Sequence, residues 1–429
     1  MTRSTLARGI VLALTLSAIA CRPVLAEPVL PLSINKIVAL ALKQSAGLAA
    51  LEKDATAMQS LAVQAGTLVN PTLELQGSTG SMTGSPDEHT ASIGINQELP
   101  LYGKLRLRRE VLQREAETLQ RQRDNTARLL KDEVATLALD YLLAAKRVEL
   151  ASGLVQLNRD LVVITGERFE AGDIPELELN LAKVELARAE SRLLEIERER
   201  IPLRIRIASL TGLNESDIKL SDTSYKPALS QSRQDLVKQA LASRPDLLSL
   251  AIERDKAEAE NRLARAEALP NLTAGLFAQW QRGKTEVGGM SEINNDTQLG
   301  LRLTMPIPVF DRNQGGRAAA KSKLDAANSR LLAMERTVTA EVEAATSRLS
   351  SSDRILALLE QSIIPQLNEN LKLTQEAYRL GEVGILSVID EQKKFFEVND
   401  GYLSAMHGRR VAFIKLETAA AIDLSGGVQ

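Results

Sequence analysis

This 429-residue chain is poor in several residue types, and each shortage removes a class of function. It has one cysteine, so no intrachain disulfide can staple it. Two histidines and that single thiol leave little from which to build a metal cage, and neither His89 nor His407 has a second histidine or a cysteine at ligand spacing. Aromatics make up 3% of the chain, with one Trp, too few for a thick globular core or a platform on which bases stack. Neither sign of charge is in excess: 53 Lys+Arg stand against 55 Asp+Glu, without the clustered basic face that nucleic acid requires. No paired residues suggest catalysis, and Gly288-Gly289 and Gly315-Gly316 lack the strand–glycine–helix context of a phosphate loop. No enzyme activity and no cofactor are expected.

The one sustained apolar run, Ile10 to Ala20, lies behind Arg3 and Arg8 and ahead of Val24-Leu25-Ala26. It is too short to span a bilayer, which takes ~20 apolar residues, and residues 1–26 read as a signal peptide. Two processing routes remain open: lipidation at Cys21, or cleavage after Ala26 to leave Glu27 first.

What the chain does have is a message given twice. Asn70-Pro71-Thr72-Leu73 is echoed by Leu269-Pro270-Asn271-Leu272, and Ile93-Gly94-Ile95 with Leu99-Pro100-Leu101 by Leu299-Gly300-Leu301 with Met305-Pro306-Ile307. Arg168-Phe169-Glu170-Ala171-Gly172-Asp173 returns as Ala377-Tyr378-Arg379-Leu380-Gly381-Glu382. The offset grows from 199 (Pro71 to Pro270) to 206 (Pro100 to Pro306) to 209 (Gly172 to Gly381), as expected of a duplicated unit with small insertions. The predicted unit is helix, strand, strand, very long helix, tight turn, helix. Repeat 1 covers 27–211, with strands about 71–80 and 90–98, a long helix 101–166 and a return helix 174–211. A linker, 212–231, leads to repeat 2 at 232–429, with strands about 271–281 and 297–305, a long helix 313–380 and a return helix 384–421.

Residues 101–166 contain no proline, and Val134, Tyr141, Val148, Val155 and Val162 recur every seven residues. Sustained heptads imply supercoiled packing, and 66 residues of helix make a rod roughly 100 Å long. Val342, Leu349, Leu356 and Ile363 repeat the pattern, until Pro365 predicts a bend. Leu179, Leu186 and Leu193, and Ile389, Phe396 and Leu403, mark shorter seams on the return helices; Pro202 is expected to end or kink the first near Arg200.

The strands alternate in character. Leu272, Leu276 and Trp280 on one segment and Leu299, Leu301 and Leu303 on the next form an apolar face predicted to meet lipid, with Trp280 at a strand end as an interfacial ring. Gln298, Gly300, Arg302 and Thr304 form the polar face. A half-buried soluble hairpin is the alternative for any one strand. Four strands cannot seal a barrel, and open edges are not tolerated in lipid, so several chains must pool theirs. Two would give eight strands with a filled interior; three would give twelve, with room for a pore.

These features resemble the TolC-like outer membrane efflux family over essentially the whole mature chain. Tyr378-Arg379-Leu380-Gly381-Glu382-Val383-Gly384 with Ile385-Leu386-Ser387-Val388-Ile389-Asp390 resembles the family's periplasmic tip. Gln97-Glu98-Leu99-Pro100-Leu101-Tyr102-Gly103-Lys104 and Pro306-Ile307-Pro308-Val309-Phe310-Asp311-Arg312-Asn313 resemble its heavy-metal, cobalt–zinc–cadmium branch. The resemblance implies a mainly α fold with a membrane β part: a homotrimer whose 12-stranded β-barrel continues as a long α-helical coiled-coil barrel. It further implies an outer-membrane location reaching into the periplasm, a periplasmic adaptor and an inner-membrane RND-type pump. Some members line the closed end with two tip carboxylates; Asp390 matches one, and Ser387 stands where the other would be. Docking and gating are expected at Arg168, Phe169, Gly172, Asp173, Tyr378, Arg379, Gly381, Glu382, Ser387 and Asp390. The rival readings are a secreted coiled-coil scaffold and a duct for drugs or small organics rather than metals.

Overall fold

The computed structural model describes residues 32–221 and 231–423; the signal segment with Cys21, part of the linker and the last six residues lie outside it. Each repeat folds in the same order. In repeat 1, α1 (Ile34–Gln44) and α2 (Ala46–Ala65) precede β1 (Thr72–Thr79) and β2 (His89–Leu99), followed by α3 (Lys104–Glu170) and α4 (Glu176–Thr211). In repeat 2, α5 (Arg233–Ser243) and α6 (Pro245–Glu267) precede β3 (Leu272–Val287) and β4 (Met290–Thr304). The long helix follows as α7 (Gln314–Leu358) and α8 (Ile364–Arg379), and α9 (Ile385–Ala420) returns. Among the described residues no helix is long and apolar enough to cross a membrane.

The helices form one row. In its upper half α2 packs on α3, α3 on α6 and α6 on α7; in its lower half α4 packs on α3, α3 on α9, and α9 on α7 and α8. At 67 residues, α3 alone is about 100 Å long and ties both halves together. Short helices brace the middle. Ile37, Val38 and Ala41 of α1 pack with Val134 and Tyr141 of α3 and Ile207 of α4. Leu236 and Ala240 of α5 do the same against Val338 and Val342 of α7 and Phe413 and Leu416 of α9. Each bracing helix starts on a serine whose Oγ accepts a backbone N–H of the first turn, Ser33 from Lys36 and Ser232 from Asp235. A buried Arg244 completes the waist. It pairs with Asp246 and Glu341 and donates to the Ala419 carbonyl at 3.3 Å, satisfying an orphan acceptor at the end of α9.

The four strands form a single antiparallel sheet in chain order, β1-β2-β3-β4. Its register sorts the side chains by face. Leu73, Ile95, Leu276 and Leu301 share one cross-strand row, and Leu75, Ile93, Ala278 and Leu299 the next. The leucines and isoleucines of these rows are exposed. Between them run Glu74, Gly94, Phe277 and Gly300, then Thr72, Asn96, Gly275 and Arg302. On that polar face Arg302 stacks over Phe277 at 5.1 Å and pairs with Glu74 at 3.1 Å, reaching from the last strand to the first.

Several expectations are corrected. β3 and β4 run well past the predicted 271–281 and 297–305, because the polar stretch Gln281–Asp296 pairs as a hairpin closed by Gly288-Gly289, both at positive φ. Trp280 therefore sits mid-strand rather than at a strand end, at the level where apolar rows give way to polar pairs. His89, one residue ahead of the predicted strand 90–98, opens β2 opposite Thr79 and Arg282. α4 does not end near Arg200; it passes through Pro202, which lies on an exposed face where losing one intrahelical bond is tolerated. The long helix of repeat 2 is interrupted by a wide turn at Leu359–Ile363, which makes room for the Pro365 ring and turns Ile363 out of the seam. On α4 the buried seam is Ala182, Ala189 and Ile196, with Leu179, Leu186 and Leu193 only half-buried beside it, since small residues let α4 approach α3 closely.

Candidate functional site

The far ends of the two helical hairpins, 168–176 and 377–385, meet at the lower tip of the row. Both turn by the same device. The Gly172 N–H reaches the Phe169 carbonyl and the Asp173 N–H the Arg168 carbonyl; Gly381 and Glu382 repeat this with Tyr378 and Ala377, all at 2.8–3.0 Å. Gly172 at φ 80° and Gly381 at φ 78° supply the left-handed residue that this helix ending needs. Acidic Glu176 and Glu178 in the first turn of α4 and basic Arg168 and Arg379 in the last turns of α3 and α8 suit the helix dipoles.

The tips are held together by Tyr378. Its ring packs with Leu161, Ala182, Ile385, Val388 and Ile389, drawn from α3, α4 and α9. Its hydroxyl lies 3.2 Å from Thr165 Oγ1 and donates to Glu178 Oε2 at 3.5 Å. The Arg168 guanidinium lies over the ring at 4.9 Å while its Nη1 donates to the Tyr378 carbonyl at 2.9 Å. Burial, followed by the nearby Glu178 charge, pushes the Tyr378 phenol above its ordinary pKa, so it stays a neutral donor. Thr165 is itself fully buried on α3 and was missed in the sequence; a threonine facing inward on a heptad seam, seven residues after Asn158, was the available signal.

The other predicted tip residues are placed differently. Phe169 is 38% exposed, whereas Tyr378 is 1% exposed. Asp173, Arg379, Glu382, Ser387 and Asp390 are all exposed. Ser387 and Asp390 lie three residues apart on α9, and their exposed positions flank buried Val388 and Ile389 beside Tyr378. The tip therefore presents charged and polar groups mixed with exposed Phe169, Leu380 and Leu386 over a packed aromatic lock. Among the described residues no group of three or more His, Cys, Asp or Glu is placed to hold a metal ion.

This architecture matches a known protein family, outer membrane efflux protein, over residues 37–213 and 236–421, one segment in each repeat. The chain belongs to the outer membrane efflux protein family. Its relatives include the cobalt-zinc-cadmium resistance protein CzcC of Cupriavidus metallidurans, 24% identical over 377 residues that make up 88% of this chain and 87% of that one. The pyoverdine export outer membrane protein OpmQ of Pseudomonas putida is 24% identical over 349 residues, 79% of this chain and 71% of the relative. Among solved structures, the outer-membrane channel OprN superposes with a TM-score of 0.76 at 17% identity, over 91% of this chain and 90% of that one. Channel proteins of the outer membrane, not enzymes, are thus what this outer membrane efflux protein resembles in sequence and fold.

Proposed function

We propose that three copies of this chain close into one outer-membrane exit duct. Their sheets form a 12-stranded barrel and their helices a hollow extension through the periplasm. The observation that carries this reading is the open row. Among the described residues β1 and β4 have no strand on their outer edges, and the helices below those edges bear exposed apolar stripes. Leu177, Val184, Leu194 and Ile201 lie along α4; Ile355, Leu358 and Leu373 lie along α7 and α8, with Leu380 capping α8. Unpaired edges in lipid and apolar stripes in water are both costly, and edge-to-edge closure of identical copies removes both.

In this reading the leucine rows, including Leu272, Leu276, Leu299, Leu301 and Leu303, face lipid with Trp280 at the boundary, and the face with Glu74 and Arg302 lines a wet lumen. The tip is the gate. Tyr378, Thr165 and Arg168 lock the two hairpins inside each copy. Phe169, Asp173, Arg379, Glu382, Ser387 and Asp390 are left outward to meet neighbouring copies and a periplasmic adaptor, which draws the hairpins apart when an inner-membrane, RND-type proton-driven pump delivers cargo. The duct conducts passively, so selection is made upstream. Heavy-metal cations are the cargo favoured by the cobalt-zinc-cadmium relative. An organic cargo is the second reading, supported by the pyoverdine-export relative.

The test is direct. Purified in detergent, the protein should have the mass of three chains and in planar bilayers a small, mostly closed conductance that rises when Tyr378→Ala and Asp390→Ala are combined. A monomer that stays dissolved without detergent overturns the proposal. Leu301→Arg should abolish the trimer, because a mid-bilayer arginine on a lipid face costs about 2–4 kcal/mol per copy; normal trimer yield would show that Leu301 does not face lipid. Growth of a deletion strain on zinc, cobalt and cadmium, set against growth with siderophores, decides between the cargoes.

A further inference from the structure

The two repeats leave the sheet differently. Repeat 1 passes from Leu99 to Lys104 through four residues, whereas repeat 2 passes from Thr304 to Gln314 through nine. The extra residues carry Ile307 and Phe310, the latter 91% exposed. An aromatic this exposed on a floppy loop would mean little, but this loop is braced. Asn313 Nδ2 donates to the Ala264 carbonyl of α6 at 3.0 Å, and its backbone N–H to Asp311 Oδ1 at 2.8 Å. Gln314 Nε2 and Arg312 Nε donate to the carbonyls of Phe310 and Pro308, each at 3.3 Å. Pro306 and Pro308 stiffen the approach. The side chain is held out in water by its own backbone, so little ordering entropy remains to be lost when something covers it.

The opposite edge of the row carries the matching feature at the same end of the sheet. Thr72, the first residue of β1, shares a cross-strand row with Asn96, Gly275 and Arg302, near the end of β4. The segment entering β1 therefore flanks the same end of the sheet as the segment leaving β4, one on each outer edge. That entering segment exposes Leu68 and Val69, with exposed Val63 in the last turn of α2 beside them. It too is held in place, by Gln97 Nε2 donating to the Val69 carbonyl at 2.8 Å. Neither apolar patch is covered by the other described residues.

We propose that the loop after β4 is a clasp between copies, in which Phe310, supported by Ile307, seats on Leu68 and Val69 of the partner subunit. A heterologous contact of this kind joins one edge to the other and closes a ring, and a rigid aromatic entering an apolar patch is the usual form of an interface anchor. The clasp lies where sheet gives way to helix, the level at which a gap would let the lumen leak into the periplasm. The proposal rests on the ring described above, and its test separates the two.

In the full-length protein, Val69→Cys and Phe310→Cys are made singly and together, oxidised in the membrane, and run on non-reducing gels beside a mass measurement of the detergent-solubilised protein. The double variant should give covalent ladders ending at three chains, while neither single variant should, which also accounts for any thiol at Cys21. A three-chain mass with no ladder overturns the clasp and leaves the ring standing. A one-chain mass overturns both. Dimers from Phe310→Cys alone would show a like-with-like contact and overturn the clasp. Phe310→Ala should also lower the temperature at which the trimer dissociates in SDS, whereas Met82→Ala, equally exposed in the β1–β2 connection, should leave it unchanged; equal shifts count against the clasp.

Discussion

Phe169 and Tyr378 occupy the same place in the two hairpin tips, three residues before the turn glycine and 209 apart, as Gly172 and Gly381 are. The turns are hydrogen-bonded alike, yet one ring faces out and the other is sealed in the core. The difference follows from neighbours. Tyr378 faces Thr165 on α3 and Glu178 on α4, and its hydroxyl finds partners in both. A phenylalanine has no such use for a polar crevice, and Phe169 is left on the rim. A duplicated hairpin has thus divided its labour: repeat 2 supplies the lock, and repeat 1 supplies the arginine that covers it and an aromatic free to meet another surface.

That division can be broken by substitution. Tyr378→Ala should have the largest effect, since removing a buried ring costs about 3–5 kcal/mol. Limited proteolysis near Leu380 should accelerate and channel conductance should rise. Phe169→Ala should stay within about 0.5 kcal/mol by the same proteolysis assay, as exposed positions usually do, and equal damage from both would void the comparison. Gly172→Ala and Gly381→Ala each force an L residue into the left-handed region at about 1–2 kcal/mol. Gly381→Ala should be the worse, read as the larger drop in thermal unfolding midpoint, because its methyl would come 3.3 Å from Arg168 Nη2 while Gly172 opens on empty space.

The smallest effect expected is a pH dependence. The Tyr378 phenol is raised by burial and by Glu178, so its contribution is complete below the ordinary tyrosine value of about 10 and is lost as pH climbs through the raised value. Alkaline opening of the channel should vanish in Tyr378→Phe. A wild-type channel unaffected by alkali up to unfolding would show that the hydroxyl does not hold the lock.

Much of this was legible beforehand. The repeat showed itself through prolines and glycines, because those residues mark strand exits and helix reversals wherever they recur. The alternation of Leu299, Leu301 and Leu303 against Gly300 and Arg302 was readable because strand period is independent of context. The polar hairpin beyond Trp280 was not, since Arg282, Lys284, Asn294 and Asn295 have no apolar face to betray a strand and pair only because the turn at Gly288-Gly289 sets their register. The seam on α4 was misjudged for a related reason: leucines advertise burial, but close helix contact selects alanine.

Local chemistry by itself therefore determined the double architecture, the sheet's two faces and the sites of reversal, since these depend on backbone freedom and side-chain period within a few residues. The tertiary structure alone decided which of two equivalent aromatics is buried, where a proline interrupts a rod and where another does not, and that Arg302 reaches Glu74. Each of those outcomes depends on what lies across a helix or sheet, hundreds of positions away, where local pattern carries no information about the distance between partners.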